Sequence, residues 1–230
     1  MSKKLEQNPK FEQDINNAVI ETENFVEKNL NTILTVVGVV VLLVVGYILL
    51  NNYYFQPREV KAQNDLYQGE MYFAQDSFAI ALNGDDINYG GFLEIIDEYG
   101  RTKAGNLAKA YAGISYYKLG DYEQAVNYLS KFDSDDKMAA PAIVGLIGDC
   151  YTEMGDVEKG IKYYLKAGKE KNGVLSPIFL RKAGISYESL GQYDKAIDIY
   201  NEIKKDYSTE SNNQVVIEID SYIEHAKTMK

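Results

Sequence analysis

The phrase KLGDYEQA at Lys118–Ala125 returns as EMGDVEKG at Glu153–Gly160 and as SLGQYDKA at Ser189–Ala196, at steps of 35 and 36 residues. No other feature constrains the fold as much, because each copy must form the same small unit and bury its apolar side against the next. The phrase sits in a wider frame. A glycine stands seven residues before each turn glycine (Gly113 and Gly120, Gly148 and Gly155, Gly184 and Gly191), and a tyrosine follows the first of them by three (Tyr116, Tyr151, Tyr187). A small residue comes five after the second: Ala125, Gly160 and Ala196. Aromatic or aliphatic residues then close each unit, at Tyr128, Leu129 and Phe132, at Tyr163, Tyr164 and Ala167, and at Ile199, Tyr200 and Ile203. This spacing predicts a helix-turn-helix unit. The first glycine and the later small residue lie where two antiparallel helices come closest, and the second glycine supplies the positive φ that ends the first helix. Asp121 and Asp156 are expected as N-caps of the second helices, with Gln124 completing a capping box in the first copy. Pro141 opens the second unit; Ser176 and Pro177 open the third as N-cap and first helical residue.

The frame resembles the tetratricopeptide repeat (TPR), a helix-turn-helix of about 34 residues. The resemblance implies an all-α chain in which stacked pairs form an α-solenoid. The family's usual tryptophan and its repeat-ending proline are missing, and Gly160 stands where alanine is usual. Upstream, Arg58–Leu82 reads as one long helix with Val60, Leu66 (with Tyr67), Met71, Phe73, Phe78 and Leu82 on its apolar side. NGDDINYGG, Asn83–Gly91, breaks it, and Phe92–Tyr99 forms a second helix; together they read as a degenerate first repeat with an enlarged turn. Downstream, Val216, Ile219, Ile223 and Ala226 suit a final helix over the open end of the stack.

Ahead of the repeats, Ile33–Leu50 holds eighteen residues without a charge, enough for roughly 27 Å of helix and hence for a bilayer. The flank NNYYF places aromatic rings where headgroups would lie. The run begins too late, is too long and lacks a small-residue exit for a cleaved signal, so it reads as an anchor. Lys3, Lys4, Lys10 and Lys28 in the short tail favour the tail inside and the large domain outside. In that tail Phe11, Ile15, Val19, Thr22, Phe25 and Leu30 form one helical stripe beside the acidic Glu12, Asp14, Glu21, Glu23 and Glu27. The acidic face disfavours an anionic leaflet; a partner helix and a plain extension of the span both fit the stripe. Gly38 and Gly46 are eight apart, so no GxxxG seam points to pairing through the span. The chain parses as a cytoplasmic amphipathic tail (1–32), a transmembrane helix with aromatic exit (33–55), a linking helix and degenerate repeat (56–105), three repeats (106–208) and a capping helix (209–230).

Twenty-four basic against 34 acidic residues give a net charge of −10 with no basic stripe, which excludes nucleic acid as a partner class. Cys150 reads as a buried structural thiol and His225 as a surface residue. No HExxH, GxSxG, phosphate-cradling loop or CxxC occurs, so no catalytic residue, cofactor, metal or small-molecule substrate is expected. The acidic run Asp133–Lys137 lacks the remaining ligands of a calcium loop and reads as a connection.

The acidic tail ending in ETENFVEKNLN, the single span, the aromatic exit, the FLEIIDEYGRTKAGNLA segment and the repeat array together resemble the ancillary SecYEG translocon subunit family. That resemblance covers nearly the whole chain and rests on the order of parts. It implies a single-pass protein of the bacterial inner membrane with its N-terminus cytoplasmic and its TPR domain periplasmic, whose partners are translocon subunits and periplasmic chaperones. Within the TPR frame, the first helix of each repeat lines the concave side at offsets two, five, nine and twelve. The candidate protein-binding groove is therefore Leu107, Ala110, Ile114 and Tyr117 with Asp149, Arg181, Ile185 and Glu188; it is expected to accept an extended or helical apolar segment, with Arg181 and Lys182 available to meet an acidic group, the alternative being a packed or wetted wall with binding on the convex side or the linker helix. Ala110 and Ile114 stand where carboxylate-clamping TPR domains need lysine and asparagine, so that clamp is absent. The alternative function is a structural scaffold or assembly factor of another envelope complex, such as outer-membrane assembly or motility machinery; a hydrolase with an unfamiliar site is the remote third.

Overall fold

The computed structural model describes residues 9–85, 87–208 and 214–230, the side chains of 9–16, 18 and 19 excepted. Among them all regular structure is helical. The chain divides into two compact units, Met1–Pro57 and Arg58–Lys230.

The first unit is α1, Pro9–Leu50, followed by a π-helical turn, Asn51–Phe55. One helix among the described residues is long and apolar enough to cross a membrane, with a window of mean hydropathy 3.0 and nothing in it buried. Leu42 and Leu43, 73% and 69% exposed, leave the apolar surface of this run unburied among the described residues. The wide turn has a local cause. Pro57 has no N–H to return to Tyr53 and its ring would crowd that carbonyl, and the Gln56 N–H reaches back five residues to Asn51 O. Of the tail stripe, Phe25 and Leu30 are exposed. Phe11, Ile15, Val19, Glu12, Asp14 and the lysines Lys3, Lys4 and Lys10 lie outside the described side chains.

In the second unit the expected helix Arg58–Leu82 is two helices, α2 (Gln56–Ala74) and α3 (Phe78–Asn83). Asp76 takes the left-handed φ of 55°, which a short polar side chain tolerates, and the Ser77 N–H closes back on Tyr72 O. The break lets Phe73 meet Phe78 edge to face at 5.3 Å and buries Ala81 and Leu82. The face of α2 that packs also differs from the expected one: Ala62, Leu66 and Gly69 are buried, whereas Val60, Tyr67 and Met71 are exposed. A Cβ on Gly69 would lie 2.3 Å from the Phe92 ring, so glycine sets the approach of α2 to α4 (Gly91–Tyr99). Between α3 and α4 the Asp85 carboxylate organises the loop. Its Oδ1 accepts from the N–H groups of Ile87, Asn88 and Tyr89 at 2.9–3.1 Å, and its Oδ2 accepts from Tyr72 OH at 2.8 Å.

Three helix pairs follow: α5 and α6 (Lys103–Leu119, Tyr122–Leu129), α7 and α8 (Ala139–Glu153, Val157–Gly168), α9 and α10 (Leu175–Ser189, Tyr193–Tyr207). Cβ atoms on Gly113, Gly148 and Gly184 would come within 2.7 Å of Leu129, Tyr164 and Tyr200, each sixteen residues on, so the close crossing read from the spacing is real. The turn glycines take φ of 83°, 84° and 68°. Asp121 and Asp156 cap α6 and α8 by accepting from Gln124 and Lys159 N–H.

Two expected caps are corrected. Gln124 forms no capping box, because the Asp121 N–H is already bound to Tyr116 O at 2.9 Å in the Schellman arrangement that closes α5. Ser176 is not the N-cap of α9 but lies inside it, buried. Asn172 Oδ1 caps instead, accepting from Val174 and Leu175 N–H at 2.9 Å, as Asp136 Oδ1 does for Met138 and Ala139 at 2.8 Å before α7. Pro141 and Pro177 are thus each the third residue of their helix. The acidic run Asp133–Lys137 is a connection whose Asp136 serves as this cap.

Between consecutive pairs the buried residues join. Leu129 meets Ile143 and Ile147 with Cys150, and Tyr164 and Ala167 meet Phe179 and Ala183. The last helix, α11 (Gln214–Met229), lays Val215, Ile219 and Ile223 on Tyr200 and Ile203. Each fully buried Leu or Ile contributes roughly 1.5–3 kcal/mol. α11 accordingly covers the end of the stack, where the spacing of Val216 to Ala226 placed a cap; residues 209–213 lie outside the described ones.

Candidate protein-binding face

The first helices of the repeats neighbour one another. Lys182 on α9 reaches both carboxylate oxygens of Asp149 on α7 at 2.7 Å, and the Asp149 Oδ1 also accepts from Tyr164 OH at 2.7 Å. Tyr164 OH lies 3.2 Å from Thr152 Oγ1, which donates to Gly148 O. One repeat on, Glu188 stands in the place of Thr152 and accepts from Tyr200 OH at 2.7 Å, while its Oε2 lies 3.1 Å from His225 Nδ1 on α11. Burial pushes both phenols up, and the carboxylates that accept from them add to the shift. Tyr117 is raised by burial and by the nearby Asp149 and Glu153 carboxylates.

Arg181 is 4.0 Å from Glu218 and lies over the Tyr222 ring at 5.7 Å, both on α11. Of the two cations expected to meet an acidic group, Lys182 is paired with Asp149, while Arg181 comes within 4.0 Å of Glu218 and its Nε has no hydrogen-bond partner among the described residues. Ala110 is buried at 5% in the core between the first two repeats and offers no surface. Leu107 and Ile185 are exposed at 37% and 43%, and Ile114 and Tyr117 are half-buried. The arrangement thus pairs Lys182 internally, draws Arg181 toward α11 and leaves an outward part that is apolar. Burial, then the Asp149 charge, pushes the Cys150 thiol up to about 12, which keeps it an unreactive core residue. His225 is 60% exposed and partnered to Glu188. Sequence reasoning missed Glu59, whose carboxylate accepts from Lys103 and Ala104 N–H at 2.8 and 3.1 Å and so joins α2 to the start of α5.

Residues 111–135, 142–168 and 180–209 match models of the tetratricopeptide repeat. The chain carries tetratricopeptide repeats. It is 36% identical over 117 residues to the TPR repeat-containing protein MJ1428 of Methanocaldococcus jannaschii, covering 50% of this chain and 20% of that protein. It is 41% identical over 58 residues to the chloroplastic protein FLUORESCENT IN BLUE LIGHT of Arabidopsis thaliana, covering 23% and 18%. The chain spans about a fifth of the length of these curated relatives. Among solved structures, nearly identical TPR-like repeats from Podosopora anserina superpose with a TM-score of 0.56 at 10% identity, over 74% of this chain and 86% of that one. The likeness is one of fold. Tetratricopeptide repeats are protein-interaction scaffolds, so the chemistry to look for on this face is that of protein recognition.

Proposed function

We propose that this chain is a membrane-tethered TPR module that binds other proteins through the face of its first helices and does no catalysis. The observation that carries the reading is the pairing of Asp149 with Lys182 beside the exposed Leu107 and Ile185, which makes the outward part of the face apolar. Such a face favours an apolar polypeptide segment over an acidic one, since an acidic ligand would have to compete with Asp149 for Lys182. The order of parts supports a finer placement: a single-pass inner-membrane protein, N-terminus cytoplasmic and repeats periplasmic, beside the Sec translocon, recruiting chaperones to chains that emerge there.

The test is co-purification in mild detergent of the wild type and of Ile114→Glu/Ile185→Glu. Translocon subunits recovered with the wild type and lost at least tenfold with the variant support both levels of the reading. Recovery unchanged by the variant moves binding off this face. Recovery of outer-membrane assembly proteins in place of translocon subunits replaces the placement with that of an envelope scaffold.

A further inference from the structure

Helix α2 has two apolar faces, and only one is buried among the described residues. Ala62 and Leu66 join the core cluster of Tyr89 and Phe92 and Gly69 lies against both rings, while Val60, Tyr67 and Met71 stand 57%, 64% and 48% exposed on the other side. With the exposed Asn64 they form a run stepped by four, three and four residues, the spacing of a two-helix seam. Glutamines flank it: Gln63, Gln68 and Gln75 are exposed, and of the two charged neighbours Lys61 lies 5.7 Å over the Tyr99 ring and Glu70 is half-buried and turned to Tyr111. In a chain of net charge −10, a helix face without an exposed carboxylate is where two like molecules meet with least repulsion.

We propose that this face is covered by α2 of a second copy, in a parallel, in-register pair. Three observations select a second copy. The face is self-complementary in charge. Val60 follows the last residue of the apolar run, Leu50, by ten residues, so copies held by the same span carry the face at the same place along the chain and in the same direction. Asn64 occupies the position at which a polar residue fixes register in a two-stranded seam, where it would hydrogen-bond its own counterpart. The contact is short, below the ~1,200 Å² typical of stable interfaces, so confinement to one membrane must supply the local concentration. The inference rests on the tether of the proposed function and not on the binding face or on the translocon.

The experiment uses the purified full chain in liposomes, with cysteine placed singly at Val60, Asn64, Tyr67 and Met71, and at the exposed Lys118 and Lys195 as controls. Cys150 is buried and stays silent. Mild oxidation is expected to give covalent dimers at least fivefold more abundant at the four α2 positions than at the controls, because a disulfide needs Cα atoms within about 7 Å. Adding Val60→Glu/Tyr67→Glu to Asn64→Cys should abolish them while leaving the helical circular-dichroism signal intact. Equal yields at α2 and control positions, or no α2 dimer from variants that keep that signal, overturn the proposal. So does repetition in native membranes in which Asn64→Cys captures a different protein and no second copy. In all these failures the co-purification test of the first-helix face is untouched.

Discussion

A methyl group at Gly184 would sit 2.2 Å from the ring of Tyr200, which is fully buried and fixed at its far end by Glu188. Neither partner can yield without moving a helix, so Gly184→Ala is expected to destabilise the repeat domain by about 1–3 kcal/mol despite the better helix propensity of alanine. Gly38→Ala, with nothing within 4 Å, should leave it unchanged; paired thermal melts check both. At Asp85 the bonds from Asn88, Tyr89, Tyr72 and Ile87 hold the carboxyl well below its ordinary 3.8. A depressed folded-state pKa stabilises fully above the ordinary value and loses that contribution as pH falls through the folded one. Asp85→Asn should therefore melt earlier than wild type at neutral pH, with the gap narrowing as pH drops below 3.8. A gap that stays constant to lower pH would mean that the loop is held by something other than this charge. The glycine crossings were legible from sequence because three copies repeat them. The Asp85 loop occurs once, and nothing in NGDDINYGG says which carboxylate gathers the N–H groups.

At the scale of elements, α5 starts with two caps, Thr102 from its own chain end and Glu59 from α2. Glu59→Ala should free the N–H groups of Lys103 and Ala104, and hydrogen exchange at those two amides is expected to speed at least tenfold while the Gly113 amide changes little. Exchange unchanged at Lys103 would show that the Glu59 carboxylate does not protect that amide. Helix pairs were readable because their signals are local: glycine at the crossing, glycine at the turn, aspartate after it. The two faces of α2 were not, since Leu66 and Tyr67 are adjacent and both apolar, and periodicity alone does not choose between them. The break at residues 75–77 contains no glycine or proline, and Asp76 takes its left-handed turn unannounced. The caps at Asp136 and Asn172 stand several residues ahead of the prolines that drew the sequence reading to Ser176. The engagement of Arg181 and Lys182 depends on Glu218 and Asp149, 37 and 33 residues away, a distance at which sequence pattern is silent.

Over the whole repeat domain, stability is a sum of pair stabilities and of the interfaces between neighbours, so an end cap protects what lies beside it most. α11 fills that role. Its inner residues Val215, Ile219, Ile223 and Ala226 are buried, and its contacts with α9 run through Arg181 with Glu218 and Glu188 with His225. Ile219→Ala removes a side chain only 2% exposed and should cost about 2–5 kcal/mol at that interface. The loss should be graded along the chain. Hydrogen exchange is expected to accelerate most in α11 and α10, less in α9, and little in α5 and α6, because fraying from the uncovered end opens the last pair before the first. Equal acceleration from α5 to α11 would instead mean that the array unfolds as one cooperative block, and that α11 acts on every repeat at once.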